Sequence, residues 1–243
     1  MIGRYIKSLI RRGLFCAGLD LTRNMQYDRL TRKIMHRVIR PGANCIDVGS
    51  HEGDVLKKCL DLAPDGRHFA FEPIPEYFER LKQAWGSQAT VLPYALSDES
   101  GASVFQFVRN APAYSGLKKR KYNIQAPDIR QMDVEVRRLD DVIPQELIID
   151  FMKVDVEGAE FHVLKGGREL IKRSAPVIVF EFGLGASDYY DSEPAALYRF
   201  LVRECGLKVS LMKSFLDHSS SLSSEQFREH YHNQAEYYFV AHP

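Results

Sequence analysis

Cysteine is scarce in this chain. The 243 residues hold four, Cys16, Cys45, Cys59 and Cys205, and no two form a C-x-x-C pair. That spacing excludes a disulfide scaffold. Cys45, inside an apolar run, reads as a reduced thiol of a reducing compartment. No apolar run reaches the roughly 18 residues of a membrane-spanning helix. There are no internal repeats and no low-complexity tract, so disorder, collagen and coiled coil are excluded as the main architecture. The dinucleotide fingerprint G-x-G-x-x-G is missing as well. The uncharged run Gly13–Leu19 after Arg11 and Arg12 is short for a signal core and lacks an A-x-A site, so no signal peptide is expected.

What is present is ordinary for a globular protein: 45% hydrophobic and 27% charged residues, in a length that suits one α/β domain. The net charge of +1 hides an asymmetry. Residues 1–40 carry ten Lys/Arg against two Asp/Glu, which leaves the remainder acidic. The chain therefore reads as a basic helical arm, 1–40, on a domain, 41–243. Within the arm, residues 2–15 fit a helix with Ile2, Ile6, Leu9, Ile10 and Leu14 on one side and Arg4, Lys7, Arg11 and Arg12 on the other. Such a helix can lie on an anionic membrane surface or pack on its own domain. The expected location is cytoplasmic, either free or peripheral to the inner face of the membrane. Aromatic residues do not interleave the arm's charges, so nucleic acid is not an expected partner.

A second helix is expected from about Tyr27 to Ile39. Strands and helices then alternate. Strands are predicted at Asn44–Val48, Arg67–Phe71, Thr90–Tyr94, Phe151–Asp155, Val177–Phe182, Leu207–Met212 and Tyr237–Ala241. Helices are predicted at Gly53–Leu62, from Pro75 to about Trp85, from Gly158 with a break at Gly166-Gly167, and from Pro194 to Cys205. This alternation implies a mostly parallel sheet with helices on both faces. Two insertions interrupt it. Residues 98–148 include Val104–Val108 and Met132–Val136, expected to pair as a small strand pair, and residues 213–236 open a short helix with the capping box Ser223-x-x-Gln226.

The first strand delivers Asp47-Val48-Gly49-Ser50-His51-Glu52-Gly53 to a helix N-terminus. Glycines there let a ligand approach the backbone, and the helix end attracts negative groups. Glu72 stands at the tip of the second strand, 25 residues after Asp47. An acidic side chain there can accept both hydrogen bonds of a ribose diol, or it can cap the helix that follows.

Five stretches carry a family resemblance: Ile46–Gly53, Phe71-Glu72-Pro73-Ile74-Pro75, Ala95-Leu96-Ser97-Asp98, Leu139-Asp140-Asp141, and Lys153–Glu160 followed by Val163-Leu164-Lys165-Gly166. Over about residues 44–182 the chain resembles the FkbM family of S-adenosylmethionine-dependent methyltransferases. It departs from them at His51, where members usually have Asn. The resemblance implies a class I methyltransferase fold, Rossmann-like, with seven strands, the last antiparallel. It also implies O-methylation of a sugar, glycan or natural product. S-adenosylmethionine would contact Asp47, Gly49, Ser50, His51, Gly53, Glu72, Pro73, Ala95, Leu96 and Ser97.

Lys153-x-Asp155-x-Glu157 places three charged side chains on one strand face mid-sheet, where apolar residues are expected. A buried Lys needs a partner, and Asp155 and Glu181 are the candidates. Asp155 and Glu181, at neighbouring strand tips, are read as catalytic together with Lys153. Asp155 would take the acceptor's proton. The same two carboxylates could hold a divalent cation, but no third ligand is evident and a metal is not expected. Glu157 is either a substrate contact or a charge at a helix N-terminus. The loop Ala113–Tyr122 brings Tyr114, Lys118, Lys119 and Arg120 to the same edge and suggests an anionic acceptor. Two alternatives stand beside the transferase: an NAD-dependent sugar oxidoreductase or epimerase, which the missing glycine fingerprint disfavours, and a cofactor-binding interaction module without catalysis.

Overall fold

A computed structural model describes residues 22–122 and 124–243 of the chain. The expected helix at residues 2–15 and Cys16 lie outside them. The first helix, α1 (Arg23–Val38), starts earlier than the periodicity suggests because the Thr22 hydroxyl accepts the Met25 N–H at 3.2 Å. Its face of Met25, Tyr27, Leu30, Ile34 and Met35 is buried. It packs in one cluster with Phe151 and Val179 of the sheet. Helix α1, which lies within residues 1–40, is thus packed on the sheet.

Seven strands form the main sheet in the order β3-β2-β1-β7-β8-β10-β9. They are β1 (Cys45–Val48), β2 (His68–Phe71), β3 (Thr90–Leu92), β7 (Phe151–Val154), β8 (Val177–Glu181), β9 (Lys208–Leu211) and β10 (Tyr238–His242). β3, β2, β1, β7 and β8 run parallel, and β10 is antiparallel to both neighbours. The strands β1, β2 and β7 are buried along their whole length, as a sheet covered on both faces requires. The chain order reverses between β1 and β7, and open α/β sheets bind ligands in the crevice above such a point.

The third strand is shorter than expected. Pro93 follows Leu92 and lacks an N–H, so pairing with β2 stops there. The chain then changes sheets: β4 (Tyr94–Leu96) joins β5 (Gly101–Val108) and β6 (Ile129–Arg137) in a three-stranded sheet of order β4-β6-β5. Ile74, Ala95, Phe105, Phe107, Val134 and Val136 form its core. Between β5 and β6, residues 109–128 form a strap, tied down by the Gln106 N–H to the Gly116 carbonyl at 2.8 Å. The helix after Pro194 runs to Arg199 and continues as one π turn, Phe200–Glu204. Ser223 and Gln226 form the expected capping box of the helix Ser224–His232. Among the described residues no helix is long and apolar enough to cross a membrane.

Candidate functional site

The turn after β1 is shaped by backbone hydrogen bonds. The Gly49 and Ser50 N–H groups both donate to the Phe71 carbonyl, at 3.0 and 3.1 Å. Gly49 has φ +79°, and a Cβ there would collide with the backbone carbonyl of Asp155. The turn therefore presses against the end of β7, and only glycine fits. Asp47 is buried and accepts the Leu56 N–H at 3.1 Å, and the Ser50 hydroxyl donates to the Asp47 carbonyl. Burial raises the Asp47 carboxyl to about 6 against the pull of Lys153. Asp47 and Ser50 thus hold the turn in shape.

Glu72 ties two loops together. One carboxylate oxygen accepts the His51 N–H at 2.8 Å and the other accepts the Ile74 N–H at 2.9 Å. Burial pushes this carboxyl up to about 7 against those two donors. With Pro73, Ala95, Leu96, Gly49 and His51 it lines a cavity of about 200 Å³ whose other walls include Phe71, Ile74, Phe105 and Leu117. Leu117 and Ala113 come from the strap, which covers this hollow. The His51 ring stacks against Tyr77 at 4.3 Å between centroids.

Four residues named from sequence as cofactor contacts, Asp47, Ser50, Gly53 and Ser97, do not line this hollow. A Cβ on Gly53 would strike the side chains of Leu81 and Trp85, so its backbone serves helix packing. The Ser97 hydroxyl donates to Asp98 at 3.1 Å, away from the cavity wall. Motif position says which loop a residue is on, and it does not say which way that loop turns.

The second half of the site is made of charge. Lys153 on β7 is buried, and its ammonium donates to Asp155 Oδ2 at 2.7 Å. The Tyr238 hydroxyl donates to the same oxygen at 2.6 Å, and the Lys153 ammonium also sits 4.9 Å from the Tyr238 ring. Burial opposes charge on both partners. The attraction of Asp155, Asp47 and Glu181 nevertheless raises Lys153, and Lys153, Glu181 and Tyr238 bring Asp155 down to about 2. A carboxylate so well satisfied is a weak proton acceptor. Glu181 has the opposite fate: burial and the charges of Asp155, Glu157 and Glu160 hold its proton on.

Glu157 lies beyond the end of β7, at φ +60°, so it neither continues the strand face nor begins the helix. Glu160 is the residue at that helix N-terminus, accepting the Val156 and Gly158 N–H groups. Glu157 instead pairs with Arg120 of the strap. Carboxylate oxygens of Asp155, Glu157 and Glu181 lie within 4.8 Å of one another, so the structure supplies a third acidic group that the sequence did not suggest. Two of the three are already paired, Asp155 with Lys153 and Glu157 with Arg120, and burial pushes the Glu181 carboxyl well above its usual range.

The strap cations separate. Arg120 is buried, donates to the Gly185 carbonyl at 3.2 Å and lies 5.0 Å from the Tyr114 ring. With Tyr114, Tyr189, Tyr231 and Tyr237, it lines a hollow of about 580 Å³ that also contains Glu157 and Glu181. Lys118 points outward, 3.4 Å from Asp191, and Lys119 is exposed outside the described cavities. Tyr238 and the tyrosine-rich hollow went unseen in the sequence. They are joined to the site only by the sheet order, which brings Tyr238 beside Glu181.

Comparison with known proteins gives a consistent result. The family model described as the FkbM methyltransferase domain matches residues 47–209. The chain is 24% identical to the 2-O-methyltransferase NoeI of Sinorhizobium fredii over 197 residues, 71% of this chain and 79% of that protein. It is 31% identical to the methyltransferase sdnD of Sordaria araneosa over 152 residues, 50% of this chain and 59% of that protein. Among solved structures, the methyltransferase FkbM of Methylobacillus flagellatus superimposes with a TM-score of 0.51 at 15% identity, over 87% of this chain. This chain spans half the length of that solved chain. The seven-stranded sheet is that of the class I methyltransferases.

Proposed function

Because the chain belongs to the FkbM methyltransferase family, we propose that it transfers a methyl group from S-adenosylmethionine to a hydroxyl of a sugar, glycan or related natural product. The observation that carries this reading is the junction of three unlike hollows. An apolar slot with Glu72 in its wall meets the tyrosine-rich hollow at Glu157, and at Asp155 and Glu157 it meets a polar trough lined also by Lys153, Glu181 and Tyr238. The slot fits an adenosine: apolar walls for the base, Glu72 for the ribose hydroxyls, and the bare Gly49 backbone where a chain must pass closely. When bound, the cofactor supplies an electrophilic methyl group on a sulfonium.

The chain's own residues then bind and orient. Glu72 retains acceptor capacity beyond its two backbone donors, since each carboxylate oxygen has a second lone pair. Asp155, locked by Lys153 and Tyr238, offers a fixed negative charge at the junction. Tyr114, Tyr189 and Tyr237 present rings and hydroxyls suited to sugar faces, and Arg120 and Lys121 favour an acceptor bearing negative charge. The printed name of NoeI, a 2-O-methyltransferase, agrees with transfer to oxygen.

The test is calorimetry with S-adenosylhomocysteine, followed by transfer of isotopically labelled methyl to a panel of methyl glycosides and acidic oligosaccharides. Micromolar-range binding and label in the glycoside fraction are expected. Binding of NADH with none of S-adenosylhomocysteine would sink the reading.

A further inference from the structure

The reading above leaves one proton without a destination, that of the acceptor hydroxyl. Resting on that reading, we propose that Glu157, and not Asp155, receives this proton, with Arg120 holding its carboxylate in position.

Three geometric facts point to Glu157. It lines all three hollows, whereas Asp155 lines the cofactor slot and the polar trough below Lys153, and Glu181 lines that trough and the tyrosine-rich hollow. A carboxylate at the meeting point of cofactor and acceptor space is where a transferred methyl and a departing proton can both be reached. Glu157 also stands in the left-handed backbone region at φ +60°, a costly conformation for a residue with a side chain, and such residues cluster at functional sites. Finally, one of its oxygens pairs with Arg120 while the other takes no hydrogen bond among the described residues. Asp155 Oδ2, by contrast, is taken twice, by Lys153 and Tyr238.

The transfer balances as follows. The acceptor oxygen forms its bond to the methyl carbon while that carbon's bond to sulfur breaks, both electrons of the broken bond staying on sulfur. The hydroxyl proton passes to the Glu157 carboxylate, and from there to solvent through the open trough.

The electrostatics agree. Glu157 faces Asp155 beyond β7, Glu160 of the following helix, Glu181 of β8, Tyr238 of β10 and Arg120 of the strap. Burial first, and then the charge of Asp155, push its carboxyl up to about 8 against the pull of Arg120. A base matched to neutral pH transfers protons more effectively than one held near 2.

The test has two arms. In the cofactor-free protein, carbon-13 labelled glutamate is titrated by NMR, with the Glu157 signal assigned by its loss in Glu157→Gln. A midpoint near pH 8 is expected, and a midpoint in the ordinary carboxylate range overturns the proposal. In the transfer assay on methyl glycosides, Glu157→Gln should lower kcat by about 10²–10⁴-fold and leave S-adenosylhomocysteine affinity within about threefold. Glu157→Asp should recover part of the rate and move the acidic limb of the pH profile. Full turnover by folded Glu157→Gln overturns the proposal while the methyltransferase reading survives. Wild-type protein that binds no S-adenosylhomocysteine overturns both. If it binds but methylates no glycoside of the panel, the carbohydrate acceptor fails, and the titration still decides Glu157.

Discussion

The two halves of the sheet's carboxyl edge are built from different materials. On the β1–β2 side, carboxylates are satisfied by backbone N–H groups: Asp47 by Leu56, Glu72 by His51 and Ile74. Those partners lie 2 to 21 positions apart in the chain. On the β7–β8–β10 side, Asp155 and Glu157 are held by side chains, Lys153 close by and the others from distant segments. Arg120 and Glu157 are 37 positions apart, and Tyr238 and Asp155 are 83 apart. A binding slot made of backbone keeps its shape with little dependence on side-chain identity. A cluster of coupled charges, by contrast, sets the proton affinity of each member through its neighbours, and perturbed proton affinities gather at functional sites.

The largest effects should come from breaking the charged half. Lys153→Met leaves the partly buried Asp155 without its cation, a loss approaching the roughly 3–5 kcal/mol of one partner of a buried pair. Urea unfolding measures this directly. Glu72→Gln on the other side keeps an acceptor for one N–H and removes no counter-ion, so about 1–2 kcal/mol is expected. If the two variants cost the same, the contrast between the halves is wrong.

Next in size is Gly49→Ala. The strain of a side chain at φ +79° is on the order of 1–3 kcal/mol. The added Cβ would also press on the Asp155 carbonyl, so turn and strand end must separate. S-adenosylhomocysteine affinity should fall at least tenfold by calorimetry, with far-UV circular dichroism unchanged. Unaltered affinity would remove Gly49 from the cofactor site.

The pH dependence of stability separates the halves further. Glu72 is raised from the ordinary 4.5 to about 7, so the folded state holds its proton more tightly than the unfolded one. Stability from this group is full below about 4.5 and is lost as pH rises toward 7. Asp155 is lowered from 3.8 to about 2, so its contribution is present above about 3.8 and lost as pH falls toward 2. Glu72→Gln should flatten the first limb and Asp155→Asn the second, each by on the order of 1–3 kcal/mol. Denaturant midpoints measured from about pH 2 to 8 would show the two slopes. A Glu72→Gln profile parallel to wild type would mean that this carboxyl titrates normally.

What the sequence revealed follows the same division. The β1 turn, Glu72, the helix opened by Pro75 and the parallel sheet are local patterns, and all were legible. So was the pairing of Lys153 with Asp155, because two positions along a strand share a face. Legibility ended where a partner came from another part of the sheet order or from the strap. Tyr238 reads as one more residue of a closing strand, and nothing in its neighbourhood marks it for Asp155. Glu157 reads from sequence as either a substrate contact or a helix charge, because sequence cannot show a left-handed residue between strand and helix. The start of α1 was misplaced by the opposite fault: Thr22 was a visible capping signal, overlooked within a stretch read as a basic arm.

The strap offers the smallest effects and the sharpest internal control. Sequence alone groups Lys118, Lys119 and Arg120 as one cationic patch for an anionic acceptor. The structure splits them. Arg120, with its side chain 6% exposed, lines the tyrosine-rich hollow and grips Glu157. Lys118 is half exposed against an almost fully exposed Asp191, a pairing worth at most about 0–1 kcal/mol. Lys119 has no part in the hollows. Lys119→Ala should therefore leave stability within about 0.5 kcal/mol, the usual range for a surface change, and leave the acceptor KM as in wild type. Lys118→Ala should do nearly the same, because its backbone N–H, not its ammonium, makes the 2.8 Å bond to the Tyr190 hydroxyl that anchors the strap. Arg120→Gln should behave differently in kind. Without the guanidinium, burial and Asp155 act on Glu157 unopposed, so the pH optimum of transfer should move to more alkaline values. A raised KM in Lys119→Ala, with the Arg120→Gln optimum unmoved, would restore the outer lysines to the acceptor site and take Arg120 out of it.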